Sequence, residues 1–219
     1  MTPFPDFPML LDIHTHRLPD RPETALLSCF PDTDPLPSGV VWRSAGLHPW
    51  HLSAGTLSSQ LEWLERQLAD PRVLAVGETG LDKRCATPLS LQEEAFTAVV
   101  RLAERHHKPL VIHAVKATAE ITALRKRLRP QCPWILHGFR GKKELAAEWL
   151  RQGCYLSFGL HYATDALQAV PLDRLLIETD DSPADIHTLY ERAALLRGMP
   201  VEAFTARIAQ TADFLFFNR

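Results

Sequence analysis

The chain has 219 residues, of which 46% are hydrophobic and 23% are charged, and these values are ordinary for a globular protein with one large core. Its net charge of −2 excludes a general attraction to polyanions, so any binding of nucleic acid must come from a local group of basic side chains. This balance argues against DNA packaging and processive binding, but it leaves open a small catalytic cleft.

Short apolar runs and amphipathic stretches alternate along the chain. The apolar runs predict eight strands, at 9–13, 24–30, 40–45, 73–78, 109–113, 133–137, 153–158 and 174–178. Apolar residues at helical spacing predict helices at 56–69, 89–107, 116–128, 142–151 and 200–217. Strands that alternate with helices are typical of parallel sheets. We therefore expect an α/β fold with a (β/α)8 TIM-like barrel, as a single domain over residues 1–219.

The first two connections between predicted strands are too short for ordinary crossover helices. Ten residues separate the first two strands, nine separate the second from the third, and both segments are rich in Pro and Asp. The expected barrel is therefore trimmed by the loss of its first two crossover helices. This loss suggests two alternative arrangements: an altered strand order there, or an oligomer formed through the trimmed side.

The first strand carries the motif DxHxH, with Asp12, His14 and His16 at alternate positions. Alternate side chains of a strand project to one face, so the two histidines are able to share a divalent ion, with Asp12 placed to orient them. The alternative interpretation is a polar strand end, because most histidines are not metal ligands.

Four further strands end in a side chain that is able to bind a metal ion. These side chains are Glu78, His113, His137 and Asp180. Each has an alternative interpretation: Glu78 as a carboxylate facing water, the histidines as hydrogen-bonded core residues, and Asp180 as a helix N-cap. In a parallel barrel, however, the carboxyl ends of all strands meet at one mouth, which predicts that the five strand ends form one site.

The residue types indicate the ion. Imidazole and carboxylate ligands without thiolates suit Zn, Mn, Mg or Fe rather than a structural zinc site. Five or six ligands exceed what one ion needs, so we expect two divalent ions, of Zn, Mn or Mg, bridged by a carboxylate such as Glu78. Two ions about 3.5–4 Å apart lower the pKa of a bound water and stabilise both the attacking and the leaving oxygen, which predicts hydrolysis.

Six short motifs follow one another between about residue 11 and residue 217, in the order DxHxH, GLHP, GETGLD, VIH, HGFRG and ETDDSP. Together they resemble a known family, the TatD-type metal-dependent deoxyribonucleases of the amidohydrolase superfamily. The resemblance implies a distorted TIM barrel with a divalent-metal centre whose ligands are His14, His16, Glu78, His113, His137 and Asp180.

The resemblance also implies roles in catalysis. Asp180 would orient or deprotonate the attacking water, Glu78 would bridge the ions, and His48 of GLHP resembles the family histidine near the substrate phosphate. The chain departs from the family beyond the ligands: Lys83 stands where an aromatic residue usually follows GLD, and Lys116 follows His113 where an arginine is usual nearby.

Basic residues fall just beyond several proposed ligands, on the face where a substrate must enter. Lys83, Lys116 and Arg140 are the expected substrate contacts, with a set of solvated charges as the alternative interpretation. Stacking of a base on Trp50, His51 or Phe139 would support binding of a nucleic-acid end.

Three functions compete. The first is a metal-dependent phosphodiesterase or deoxyribonuclease that acts on DNA ends through an activated water, with DNA or another phosphodiester as a transient partner. The second is hydrolysis of an amide, ester or lactone of a small molecule on the same centre. The third is a non-catalytic binding or assembly protein, against which the intact set of ligands argues.

The expected location is the cytoplasm. The four cysteines form no CxxC pair, which favours thiols in a reducing compartment. No segment reaches the roughly 20 apolar residues that span a bilayer, so no membrane partner is expected.

Overall fold

The computed structural model of the chain describes residue 9, residues 11–33 and residues 38–217. Its strands form one sheet in which each strand pairs in parallel with the next along the chain. These strands are β1 (Asp12–Thr15), β2 (Ala25–Cys29), β3 (Trp42–Ala45), β4 (Val73–Asp82), β5 (Leu110–Val115), β6 (Trp134–Leu136), β7 (Tyr155–Phe158) and β8 (Leu175–Ile177).

Helices follow most of the strands and cover the outside of the sheet. The α-helices are α1 (Leu57–Leu68), α2 (Leu89–His106), α3 (Thr118–Leu128), α4 (Lys143–Arg151), α5 (Thr164–Ala169), α6 (Ile186–Leu196) and α7 (Val201–Phe216). Short 3-10 segments lie at Pro22–Thr24, Pro49–His51 and Leu172–Arg174.

The last strand returns to the first and closes the sheet. The Asp180 amide donates to the His14 carbonyl at 2.9 Å, and the His16 amide donates to the Asp180 carbonyl at 3.3 Å. Thr15 and Asp180 thus form an isolated parallel bridge beyond β8. This closure confirms the α/β barrel, and the sequential strand order rules out the altered order that was one of the two suggested arrangements.

The trimmed side of the barrel lies at β2. Within the described residues, Pro22–Thr24 is the helical segment between β1 and β2, and no helix is found among residues 30–33 and 38–41 before β3. The predicted loss of two crossover helices is therefore confirmed for the part of the chain that the structure describes. An oligomer through this side stays a prediction.

Several element boundaries differ from the predicted ones. β1 begins at Asp12 rather than residue 9, and residue 10 of the predicted strand lies outside the described residues. β4 continues to Asp82, because Gly80, with a φ of 156°, lets the backbone of β5 approach; a Cβ there would lie 1.9 Å from the His113 carbonyl oxygen. The short α5 was missed, and so was α6, whose buried Ile186 and Leu189 follow a helical spacing.

The apolar core has an inner and an outer part. The inner cluster takes residues from most strands, such as Ile13, Val111 and Leu176, and it is completed by Leu215 and Phe216 of α7. The outer, larger cluster lies between strands and helices. α7 therefore packs on the residues that precede the proposed ligands along the strands, and the opposite mouth is left for the site.

None of the helices in the described ranges is long and apolar enough to cross a membrane. The cytoplasmic location stays a prediction.

Candidate metal centre

The proposed ligands lie around one mouth of the barrel. His14 lies in β1, Glu78 in β4 and His113 in β5. His137 directly follows β6, and Asp180 lies beyond β8. Because parallel strands present their carboxyl ends at the same mouth, side chains that are up to 166 positions apart in sequence (His14 to Asp180) come into contact.

Glu78 lies at the centre of the group and divides it into two halves. The first half contains His14 and His16, and the second contains His113 and His137; one carboxylate oxygen of Glu78 faces each half. Its Oε2 lies 3.5 Å from His14 Nε2 and 3.4 Å from His16 Nε2. Its Oε1 lies 2.7 Å from His113 Nδ1 and 2.8 Å from His137 Nε2. A carboxylate placed in this way is able to bridge two ions.

Asp180 completes the half that contains the first two histidines. Its Oδ1 lies 3.7 Å from His14 Nε2 and 3.5 Å from His16 Nε2. The residue has a left-handed backbone with a φ of 54°, a conformation that Asp tolerates better than most residues. It is not a helix N-cap, because the N-cap of α6 is Asp185, whose side chain accepts from the Thr188 amide.

The donor atoms fit divalent ions. The buried Nδ1 and Nε2 of His14 have no hydrogen-bond partner among the described residues, and a buried imidazole that lacks partners is costly unless it binds something. Four overlapping groups have ligand atoms within 4.8 Å of one another: His14–Glu78–His137, His14–His16–Asp180, His48–Glu78–His113 and His137–Glu178–Asp180. Nitrogen and oxygen donors in these numbers suit Zn, Mn or Mg.

The electrostatics of the centre favour charged forms. Burial alone would raise the pKa of the Glu78 carboxyl, but the His137, His113 and His14 imidazoles lower that pKa well below its ordinary value. Burial lowers the pKa of His137, whereas Glu78 and Glu178 raise it well above its ordinary value. Metal binding to these residues would therefore replace protons, as is usual for histidine ligands.

His48 lies beside the second half of the centre. Its Nδ1 accepts from the Trp50 amide at 3.2 Å, so the ring proton lies on Nε2, 3.4 Å from Glu78 Oε1. Burial lowers the pKa of His48, which favours this neutral form. A neutral imidazole with its N–H toward the centre is able to donate to an oxygen bound there.

A cavity of about 770 Å³ opens above the centre. His16, His48, Glu78, His113, His137 and Asp180 all line it. Of the predicted substrate residues, Lys116 and Arg140 line it, together with Arg84. Lys83 is not among the lining residues; its ammonium group instead contacts Glu120 Oε1 at 2.6 Å.

Residues 37–216 match the model of a protein family described as TatD related DNase. The chain belongs to this family. Among similar proteins, the metal-dependent hydrolase YcfH of Escherichia coli K12, which is described as uncharacterized, is 32% identical over 181 residues, covering 73% of this chain and 67% of YcfH. A protein of Pantoea vagans named 3'-5' ssDNA/RNA exonuclease TatD is 30% identical over 207 residues, covering 81% of this chain and 78% of that protein.

A solved structure supports the fold of this TatD-family chain. The crystal structure of the TatD homologue YJJV of Escherichia coli K12 superposes with a TM-score of 0.79 and covers 94% of this chain and 97% of its own. At 20% identity it supports the barrel alone. Membership of the family confirms the resemblance inferred from the motifs and the prediction of a metal-dependent hydrolase. The number of ions and the role of each residue stay predictions.

Glu178 of this family member was not predicted as part of the site. This carboxylate is fully buried; its Oε1 accepts from the Gly138 amide at 2.6 Å and lies 3.4 Å from His137 Nδ1. Burial raises the pKa of Glu178, but His137 lowers it below the ordinary value overall. The carboxylate thus orients the His137 ring. The signal was available, because Glu178 and Asp180 alternate at a strand end just as His14 and His16 do.

Asp82 was missed for a different reason. The strand was predicted to end at residue 78, whereas β4 extends to Asp82. Its Oδ2 accepts from Trp50 Nε1 at 2.7 Å and lies 3.5 Å from His113 Nε2. Asp82 therefore connects Trp50, the residue after GLHP, to the proposed ligand His113.

The expected role of Asp12 was wrong. Its carboxylate accepts from the Thr179 amide at 3.0 Å and from the Thr179 hydroxyl at 2.6 Å, rather than contacting the imidazoles of His14 and His16. The pairing of β1 with β2 shifts register between Asp12 and Thr15, so strict alternation fails there. Asp12 instead joins the first strand end to the last.

Proposed function

We propose that this TatD-family hydrolase is a phosphodiesterase that removes nucleotides from the ends of DNA, with two divalent ions and an activated water. The observation that carries the proposal is the position of Glu78, whose two carboxylate oxygens face two separate groups of imidazoles. A carboxylate in this position would help to hold two ions close together, and a pair of divalent ions would stabilise both the attacking and the leaving oxygen of a phosphodiester.

The two halves of the centre would hold one ion each. His14, His16 and Asp180 with Glu78 Oε2 form the first set, and His113 and His137 with Glu78 Oε1 form the second. When bound, the ions would lower the pKa of the attacking water and place positive charge beside the phosphate.

The protein groups contribute orientation and proton transfer. The Asp180 carboxylate lies at the open side of the first set, a quarter exposed, where it accepts the proton of the attacking water. His48 Nε2–H donates to a non-bridging oxygen of the phosphate, since its other nitrogen already accepts from Trp50. Glu178 holds the His137 ring in place throughout.

The charge and the size of the cavity support the proposed substrate class. Arg84, Lys116 and Arg140, which we call the basic rim, line a cavity of about 770 Å³ in a protein whose net charge is −2. A few cations around a cleft of this size suit the end of a chain with one or two phosphates rather than a long duplex. The names of relatives as exonucleases and nucleases support a nucleic-acid substrate.

Cleavage of short single-stranded DNA labelled at either end tests the proposal, in Mn²⁺, Mg²⁺ or Zn²⁺. We expect mononucleotides to be released from one end, and Lys116→Ala and Arg140→Ala to raise the KM. Lys126→Ala on the exposed surface of α3 is the matched control, since it removes an equal charge outside the cavity.

A parallel panel of lactones, esters and cyclic amides distinguishes the competing function on the same centre. Hydrolysis of a member of this panel without cleavage of any oligonucleotide would refute the nuclease proposal and favour the small-molecule hydrolase.

A further inference from the structure

Trp50 is unusual among the large apolar side chains. Within the described residues, the exposed large hydrophobic side chains are Trp50, Leu195, Phe214 and Phe217, and Trp50 is 62% exposed. Of these four, Trp50 alone lines the cavity above the metal centre. A single exposed apolar residue is ordinary on a protein surface. An exposed aromatic ring that lines the cavity of a reactive centre, however, is in a position to contact the ligand bound there.

The indole ring is held firmly along one edge. Its Nε1 donates to the Asp82 carboxylate at 2.7 Å, a charge-assisted hydrogen bond to a buried group. Asp82 is itself held, since its Oδ1 accepts from the Arg84 amide at 2.7 Å. The ring also packs edge-on against His48, with centroids 5.0 Å apart. The exposed remainder of the ring is therefore a preorganised aromatic surface.

This surface lies next to the reacting groups. The Trp50 and His113 ring centroids are 6.3 Å apart, and Asp82 lies between the two side chains. A phosphate held at the centre would therefore place an attached nucleoside within reach of the indole. Arg84 lines the same cavity and offers a cation to a neighbouring phosphate.

We propose that Trp50 stacks on the unpaired base of a nucleotide that flanks the scissile phosphate, and so makes the enzyme select single-stranded ends. This inference rests on the proposed phosphodiesterase function. Every base has a π face, so the contact accepts all four bases, whereas a base paired in a duplex is already stacked on its neighbours and must first be released. Trp50 is thus a specificity-determining residue rather than a proton donor or acceptor.

Oligonucleotides with a single abasic position test the contact. Three short single-stranded oligonucleotides each carry one abasic residue, at one of the last three positions. The kcat/KM of the enzyme for each of them is compared with its kcat/KM for the intact oligonucleotide. We expect a loss of about tenfold at one position flanking the cleaved bond, mainly through KM, and little loss at the others. A 2-aminopurine at the sensitive position should lose fluorescence on binding, because stacking quenches it.

Variants of Trp50 separate the aromatic surface from its hydrogen bond. Trp50→Ala should cleave intact and abasic substrates at the same reduced rate, and Trp50→Phe should keep part of the preference because it keeps a ring. Phe214→Ala on α7 is the matched control, since Phe214 is 60% exposed but does not line the cavity, and it should keep the full preference.

The results distinguish the stacking role of Trp50 from the proposed phosphodiesterase activity. Equal cleavage of abasic and intact DNA by the wild type, or a full preference in Trp50→Ala, would overturn the stacking role while leaving the nuclease intact. Failure of the wild type to cleave any of these oligonucleotides would overturn the proposed function, and the stacking role with it.

Discussion

Gly46 and Glu78 approach each other so closely that a Cβ built on Gly46 would lie 2.3 Å from the Glu78 carbonyl oxygen. Gly46 is the first residue of GLHP, directly after β3, and Glu78 is the proposed bridging ligand on β4. The glycine therefore permits the backbone contact that sets the depth of the carboxylate in the barrel.

Gly46→Ala is expected to displace Glu78 and to weaken metal binding. The added methyl group meets backbone rather than a flexible side chain, so the strand must move, at a cost of about 1–3 kcal/mol in the free energy of unfolding. Metal content after purification and urea unfolding measure the two effects. Gly55→Ala is the control, because the nearest contact of a Cβ there is 3.9 Å away. Unchanged metal content and stability in Gly46→Ala would contradict this account.

Asp180→Asn is expected to lower kcat by at least about a hundredfold without unfolding the protein, because the amide cannot accept a proton from water. Circular dichroism checks the fold and steady-state kinetics the rate. Asp185→Ala serves as a contrast: it removes the N-cap of α6 and should cost about 1 kcal/mol of stability, yet keep the activity of the folded fraction. Wild-type turnover in Asp180→Asn would reject the assignment of Asp180 as base.

Removal of divalent ions is expected to abolish hydrolysis and to lower the melting temperature. The buried imidazole of His14 makes no hydrogen bond to the described residues, although the Glu78 and Asp180 carboxylates lie 3.5 and 3.7 Å away. A ligand that binds the folded form alone, such as a divalent ion at this centre, stabilises the protein. Excess chelator should abolish hydrolysis and lower the melting temperature, and added Mn²⁺ or Mg²⁺ should restore both. Activity assays measure the first effect and calorimetry the second. Undiminished rates in excess chelator would count against the two-ion centre.

Asp70 and Arg43 lie away from the metal centre, and they provide a test of stability alone. The Arg43 guanidinium is almost fully buried against the Asp70 carboxylate. Asp70→Asn should lower the free energy of unfolding by about 2 kcal/mol near neutral pH, because it leaves a buried cation without its counterion. Metal content and activity should not change, and Asp20→Asn at an exposed position is the control.

The effect should depend on pH with a defined sign. Hydrogen bonds from Arg72, helped by the nearby Arg43 charge, hold the pKa of Asp70 well below its usual range. The pKa of Asp70 is lower in the folded than in the unfolded protein. The carboxylate therefore contributes its full stabilisation above the unfolded pKa of about 3.9, and this stabilisation is lost as the pH falls from there through the folded pKa. The difference between wild type and Asp70→Asn should therefore shrink in acid; a difference that grows would show that the pair does not act in this way.

Much of the barrel was predictable from local pattern. Buried parallel strands are continuous apolar runs, so all eight were located, and most helices followed from their apolar spacing. α5 has six residues, which is too short for a periodic signal. The extension of β4 to Asp82 depends on contact between Gly80 and the β5 backbone, and no local pattern shows that the glycine serves a close approach rather than a turn.

The sequence by itself determined which side chains stand at the strand ends, because strand position and residue type are local properties. It therefore predicted the residues that surround Glu78. The tertiary structure decided which of them touch: Asp12 bonds to Thr179 and not to the histidines, Glu178 supports His137, and Lys83 contacts Glu120 outside the cavity. The contact of Asp12 with Thr179 depends on a register shift and on the closure of β8 against β1. All three contacts join residues far apart in the chain, so they leave no trace in its local pattern.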